Sequence, residues 1–154
     1  MAFELNATDC ERIQKDLHEF LDLSEAQATL LCDRGGAILF SEGEFQEEAI
    51  DLICALVAGS FAATKELALA LGEEEFSAIF HQGNNSSIFI SAIGDEVLLL
   101  SIFSENTNAG LVKMYAQTAC RKMQGLFAEI GDRDSVEAED ETASFVIRSD
   151  KLFE

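Results

Sequence analysis

Residues Ala49 to Ala63 read AIDLICALVAGSFAA, and Asp51 is the only charge among them. The sequence around this run, from Phe45 through Leu71, is helix-compatible and contains no proline. A surface helix shows one apolar stripe and one polar face, whereas a helix that is apolar all round is buried on both sides or sits in a membrane. The run is shorter than the ~20 apolar residues needed to cross a bilayer, and it carries Asp51, Gly59 and Ser60. We therefore expect a helix that packs on its own sheet by one face and on another protein surface by the other. Ala58, Gly59, Ser60, Ala62 and Ala63 would let two backbones approach closely. The competing expectation is a central helix enclosed in one large domain, but a chain of 154 residues has little material to cover it.

That length suits a single domain, and a 48% hydrophobic fraction supplies a core. Twenty-nine acidic residues against ten basic ones give a net charge of −19. Nucleic acids and anionic membrane surfaces need clustered Lys and Arg, so both are disfavoured as partners. Solubility alone also explains the acidity. The first residues, MAFELNATDCER, show neither the basic nor the apolar region of a signal peptide. Cys10, Cys32, Cys54 and Cys120 have no metal-ligand or redox spacing. The last three sit in apolar contexts and read as small core residues in a reduced, cytoplasmic setting.

Thr8 followed by Glu11 has the spacing of a capping box, and Ile13, Leu17, Phe20 and Leu21 follow at helical intervals. The first helix is thus expected over about 8–22. Ala28 to Cys32 is a short apolar strand, Asp33-Arg34-Gly35-Gly36 has hairpin chemistry, and Ala37 to Ser41 is the second strand. The long helix follows over about 45–71, with Gly72 as its stop. Three strands come next: Phe76 to Gln82, Ser86 to Ile93 and Val97 to Phe103, joined by turns at Asn84-Asn85 and Gly94-Asp95. These connections are too short for parallel crossovers and predict an antiparallel meander. A last helix is expected over about 108–130. The order predicts an α+β (αβα) sandwich, a five-stranded antiparallel sheet with helices on both faces.

After Gly131 the stretch Asp132 to Thr142 is acidic and poor in apolar residues, as a disordered spacer is. Taken as flexible coil, Gly131 to Ser144 spans roughly 20 Å. The apolar residues beyond it, Phe145, Val146, Ile147, Leu152 and Phe153, are expected to dock on a neighbouring molecule. Residues 1–130 form the domain in this reading, and 131–154 the spacer and docking tail.

Particular strings within this order resemble the Roadblock/LC7 family. Leu31-Cys32-Asp33-Arg34-Gly35-Gly36 is similar to its "VDRxG" hairpin, and Ala58-Gly59-Ser60-Phe61-Ala62-Ala63 to the "AGxxAA" in its second helix. Leu71 to Phe76 with Phe80-His81-Gln82-Gly83 is similar to a "GExEF…FHEG" passage, and Ile102-Phe103 through Ala109 to Lys113 to "IFDxxTxxGLV". These last two strings belong to bacterial polarity regulators within the family. The resemblance covers about residues 10–130. It implies a homodimer that pairs the long helices and joins sheets through the third strand, with Leu56, Ala58, Gly59, Ala63, Phe76, Ile79 and Phe80 at the interface. It further implies that the dimer binds a small Ras-like GTPase and speeds GTP hydrolysis by reshaping the GTPase's own loops. Ala62, Thr64, Lys65 and Glu66 are the expected GTPase contacts. Relatives carry small residues after the "AA" pair where this chain has Thr64, Lys65 and Glu66, so the contact differs here.

No catalytic constellation accompanies these features, and a non-enzymatic regulator without metal or cofactor is expected. An activator that inserts an arginine into the nucleotide site would need an outward-reaching one. Arg34, at the hairpin tip, is the candidate, although a solvated turn residue is the plainer reading. Lys65, the only cation on the long helix, suits docking on an acidic surface or plain solvation equally well. His81 lacks a local nucleophile and an orienting partner, and His18 reads as a surface residue. Glu73, Glu74 and Glu75 are adjacent and cannot converge on one ion. Gly35-Gly36 lacks the spacing and the Lys-Ser/Thr ending of a phosphate-binding loop, so the chain does not read as the GTPase itself. A non-catalytic scaffold and, from another class, a small-ligand sensor are the alternative functions; a sensor needs a roomy apolar pocket.

Overall fold

The computed structural model describes the backbone of residues 4–152 and the side chains of residues 4–133. The elements are α1 (Ala7–Ser24), β1 (Ala28–Asp33), β2 (Ile38–Gly43), a 3-10 turn (Glu47–Ala49), α2 (Ile50–Ala70), β3 (Ala78–His81), β4 (Ser87–Ile93), β5 (Val97–Phe103) and α3 (Ala109–Leu152). The strands form one antiparallel sheet in the order β2-β1-β5-β4-β3. The expected sandwich of a five-stranded antiparallel sheet with helices on both faces is present.

Two clusters of apolar side chains hold the layers together. Ile13, Leu17 and Phe20 of α1 and Val112, Ala116, Met123 and Leu126 of α3 pack with Leu31, Leu99 and Phe103 on one face of the sheet. Cys54, Val57, Ala58 and Phe61 of α2 pack with Leu30, Leu98, Leu100 and Ile90 on the other. Adjacent residues of β1 and β5 therefore feed opposite clusters. Because both faces are covered, the central strands are largely apolar and do not alternate with polar residues, Thr29 and Ser101 being buried exceptions.

The element ends differ from expectation for local reasons. The α1 cap is Asn6, whose side chain accepts from the Asp9 N–H, while Asp9 accepts from the Asn6 N–H. Asn outranks Thr as an N-cap, so the box closes two residues earlier than Thr8-Glu11. Helix α2 starts at Ile50 after the 3-10 turn. It ends as expected: Gly72 has φ +86°, its N–H donates to Leu69 O, and the Glu73 N–H donates to Ala68 O, a Schellman closure. Glu47–Ala70 is long and apolar enough, by length and composition, to cross a bilayer, which corrects the shorter reading of the apolar run. In this fold one of its faces is seated on the sheet.

The largest difference is α3. Its backbone stays helical to Leu152 where a flexible spacer is expected from Gly131. The segment beyond Gly131 contains no proline or glycine, and its Ala, Glu and Arg residues are good helix formers. Acidity alone therefore did not break the helix. Phe145, Val146, Ile147, Leu152 and Phe153 lie outside the described side chains.

Among the described residues, three ion pairs tie α1 to α3: Arg12 to Glu129 at 3.2 Å, Lys122 to Glu19 at 3.5 Å and Arg133 to Asp9 at 2.7 Å. The Arg133 guanidinium, then the Asn6 N–H, hold the Asp9 carboxyl below its usual pKa. A depressed folded-state pKa contributes stability above the unfolded pKa and loses it as pH falls through the folded value. Asp9→Asn is thus expected to lower the unfolding midpoint near neutral pH, with the difference closing as pH falls through the lowered Asp9 value. Thermal melts of both proteins across acid pH test this, and a pH-independent difference would assign the effect to the cap alone.

Candidate functional site

Helix α2 has two faces with different fates. Cys54, Val57, Ala58 and Phe61 are buried against the sheet, and Ala68 is buried further along the helix. On the opposite side Leu52, Leu56, Gly59, Ala63, Leu67 and Ala70 are all exposed, at intervals of three and four that keep them in one stripe. Leu52 is 62% exposed and Leu56 61%. Leu69 and Leu71 add exposed apolar surface next to the stripe. A Cβ built at Gly59 meets nothing within 4 Å, so the middle of the stripe is a shallow, open saddle between leucines. Contiguous exposed apolar surface of this kind marks an interaction site, and small residues between large ones allow close helix approach.

The structure redistributes the residues expected at this site. Leu56, Gly59 and Ala63 lie in the outward stripe. Ala58 does not: it is buried in its own sheet-facing cluster, because it sits one helical turn from Cys54 and Phe61. Ile79 packs under α2, and Phe76 is half-buried. Phe80 points to the opposite side of the sheet and stacks on Phe103, with centroids 6.0 Å apart. Consecutive strand residues alternate faces, so Ile79 and Phe80 cannot share one flat contact. Ala62 and Glu66 lie on one exposed flank with Ala55 and Leu69. Thr64, about 160° round the helix from Ala62, is half-buried and donates its hydroxyl to Phe61 O at 2.9 Å. Lys65 is exposed without an ion pair among the described residues.

Arg34 is neither a solvated turn residue nor a free outward arm. Its guanidinium pairs with Glu75, donates to Gly94 O at 2.9 Å and lies 5.1 Å from the centre of the Phe61 ring. It joins three segments: the β1–β2 hairpin, the loop after α2 and the β4–β5 turn. Its Nε is buried without a hydrogen-bond partner, which offsets part of the gain. Asp33 shapes the hairpin beneath by accepting from the Gly35 and Ala37 N–H groups. Gly36 has φ +92°, and a Cβ there would come within 2.9 Å of Ala55 Cα, so α2 rests directly on the turn. Arg34→Ala is expected to cost about 1–2 kcal/mol of stability. It is also expected to reduce any stimulated GTP hydrolysis by far less than the ~10³-fold of a lost arginine finger. Denaturant unfolding and GTP turnover measure the two effects separately.

Cys32, Cys54 and Cys120 are buried and offer no reactive centre. Burial pushes the Cys32 and Cys120 thiols up to about 12 and also raises Cys54, leaving little thiolate at neutral pH. His81 is exposed at the end of β3, and His18 lies near Asp22 on the surface of α1. Among the described residues, no group of three His, Cys, Asp or Glu could hold a metal ion. Sequence reasoning missed Leu52 and Leu67 as parts of the stripe, although their spacing from Leu56 and Ala63 was available. It also missed the Arg34 anchor, which no local signal announces because Glu75 is 41 residues away.

Residues 12–103 match the family model of the Roadblock/LC7 domain. Among solved structures, the Thermus thermophilus gliding protein MglB is 30% identical with a TM-score of 0.78, covering 83% of this chain and 97% of that one. MglB in a tetrameric arrangement is 30% identical with a TM-score of 0.79, covering 84% and 97%. Myxococcus xanthus MglB is 29% identical with a TM-score of 0.73, covering 77% and 96%. No curated protein matched.

Proposed function

The chain belongs to the Roadblock/LC7 family, and from that premise we propose that it is a homodimeric regulator of a small Ras-like GTPase of the MglA type. It works in the cytoplasm of a bacterium, in cell polarity or motility. The observation that carries this reading is the outward stripe of α2. A monomer that exposes Leu52, Leu56 and Leu67 around Gly59 and Ala63 has a surface suited to a second copy of itself. Two-fold pairing brings the same stripe from each copy together. The exposed flank that carries Ala62 and Glu66 then borders the pair and is the surface offered to the GTPase.

The regulator donates no catalytic side chain in this reading. Arg34 is engaged within its own domain, and Lys65 is the cation left on α2 to meet an acidic GTPase surface. Hydrolysis is stimulated by holding the GTPase's own loops in their reactive arrangement, a population shift driven by binding. The likeness to MglB over nearly the whole of those chains supports the choice of partner. A scaffold that binds the GTPase without changing hydrolysis is the second reading.

The direct experiment is GTP turnover by an MglA-type GTPase with and without this protein. Stimulation supports the activator; binding without stimulation supports the scaffold. Ala62→Arg is expected to keep the fold, since Ala62 is exposed, and to weaken GTPase binding by about tenfold or more through a clash at a close contact. Unchanged affinity in the folded variant would move the GTPase site off this flank.

A further inference from the structure

A second surface lies on the opposite side of the sheet. Helix α3 covers β4 but leaves the edge strand β3 open, and a groove of about 530 Å³ runs between them. Its floor includes Ala78 and Phe89 of the sheet, and its α3 wall carries Lys113, Gln117, Cys120 and Arg121. Among the described residues, Arg12, Arg34, Lys122 and Arg133 all meet carboxylates, whereas Lys113 and Arg121, like Lys15 and Lys65 elsewhere, make no ion pair. A chain with 29 acidic and 10 basic residues thus places two unpaired cations beside one groove whose lining mixes Ala78, Phe89 and Ala92 with Ser77, Ser91 and Gln117. They are eight residues apart on a helix, about 12 Å.

The complementary chemistry is an acidic segment joined to an apolar one, and this chain contains it. Asp132, Asp134, Glu137, Glu139, Asp140 and Glu141 precede Phe145-Val146-Ile147. The acidic positions 134–141 span about 10 Å of helix, close to the separation of the two cations. The segment cannot serve its own groove, because α3 is one continuous helix to Leu152. Sixteen residues separate Arg121 from Glu137, and at 1.5 Å each they carry the segment about 24 Å away along the axis. We propose that the β3–α3 groove receives the acidic C-terminal segment, residues 132–147, of another copy of this chain. This contact is separate from the α2 stripe and links molecules beyond any pair formed there.

The test uses the full chain and a fluorescent peptide of residues 132–154, read by anisotropy. The peptide is expected to bind at low salt. Binding should weaken at about 0.5 M sodium chloride, where exposed charges are screened beyond a few Å. The double variant Lys113→Glu with Arg121→Glu should bind the peptide about tenfold more weakly, through two lost exposed pairs and added repulsion. Both positions are exposed, and a thermal melt checks that the fold persists. Neutralising Glu137, Glu139, Asp140 and Glu141 in the peptide should have a similar effect. A Leu56→Asp protein should bind the peptide normally, which separates this contact from the α2 interface. Absence of binding at low salt, or equal binding by the charge-reversed protein or the neutralised peptide, would overturn the proposal. So would GTPase binding, in place of peptide binding, that depends on Lys113 and Arg121.

Discussion

Leu56→Asp is expected to convert the protein into a folded monomer of 16.8 kDa. The side chain is 61% exposed in the single chain, so the substitution removes little from the monomer's own core. In a two-fold pair, the two copies of a stripe residue face each other or near neighbours. The substitution therefore places two carboxylates in one apolar contact, each losing water without gaining a partner. A penalty of about 3 kcal/mol or more weakens association over 100-fold, at 1.4 kcal/mol for each factor of ten. Sedimentation equilibrium at micromolar concentration reads the mass, and circular dichroism reads the fold. GTPase stimulation should fall in parallel if docking spans both copies. A dimer that survives in folded Leu56→Asp would place the interface elsewhere, with the open edge of β3 as the next surface to examine.

The value of that test comes from a distinction the one-dimensional pattern blurred. The two-sided character of the Ala49–Ala63 run was legible, as were all five strands, their antiparallel order and the Gly72 stop. Ala58 and Gly59 look alike as small residues in one string. A single step of about 100° around the helix sends Ala58 into the sheet and Gly59 into the open. Only the Cys54-Val57-Phe61 spacing separates them. Strand β3 carries a similar ambiguity: Ile79 and Phe80 are both apolar, yet they serve opposite layers. The sheet is covered on both faces, so neither alternation nor hydropathy shows which layer claims a given residue. At α3, acidity suggested a spacer while intrinsic propensity favoured helix, and the backbone followed propensity. Arg34 was beyond local reasoning because its partners Glu75, Gly94 and Phe61 come from three other segments.

Phe61→Ala is expected to produce the largest loss of stability of any change on α2. The ring is 2% exposed and packs in the cluster that includes Leu30, Leu98 and Leu100 beneath α2. Truncating a buried phenylalanine removes its transfer free energy and leaves a cavity, together about 3–5 kcal/mol. Here the ring also forms the apolar face under the Arg34 guanidinium, 5.1 Å away, so its removal loosens the link from the hairpin to the loop after α2. For a domain of this size each kcal/mol shifts the thermal midpoint by about 2–4 °C, giving a fall of roughly 6–20 °C. Phe61→Leu keeps most of the volume and should cost about half as much or less. The outward stripe is chemically untouched by either change. A parallel loss of dimer and GTPase binding in Phe61→Ala would show that the functional face depends on how firmly α2 is seated on the sheet. Guanidinium unfolding of both variants measures the difference. A loss below about 1 kcal/mol for Phe61→Ala would mean that α2 is not anchored through this ring.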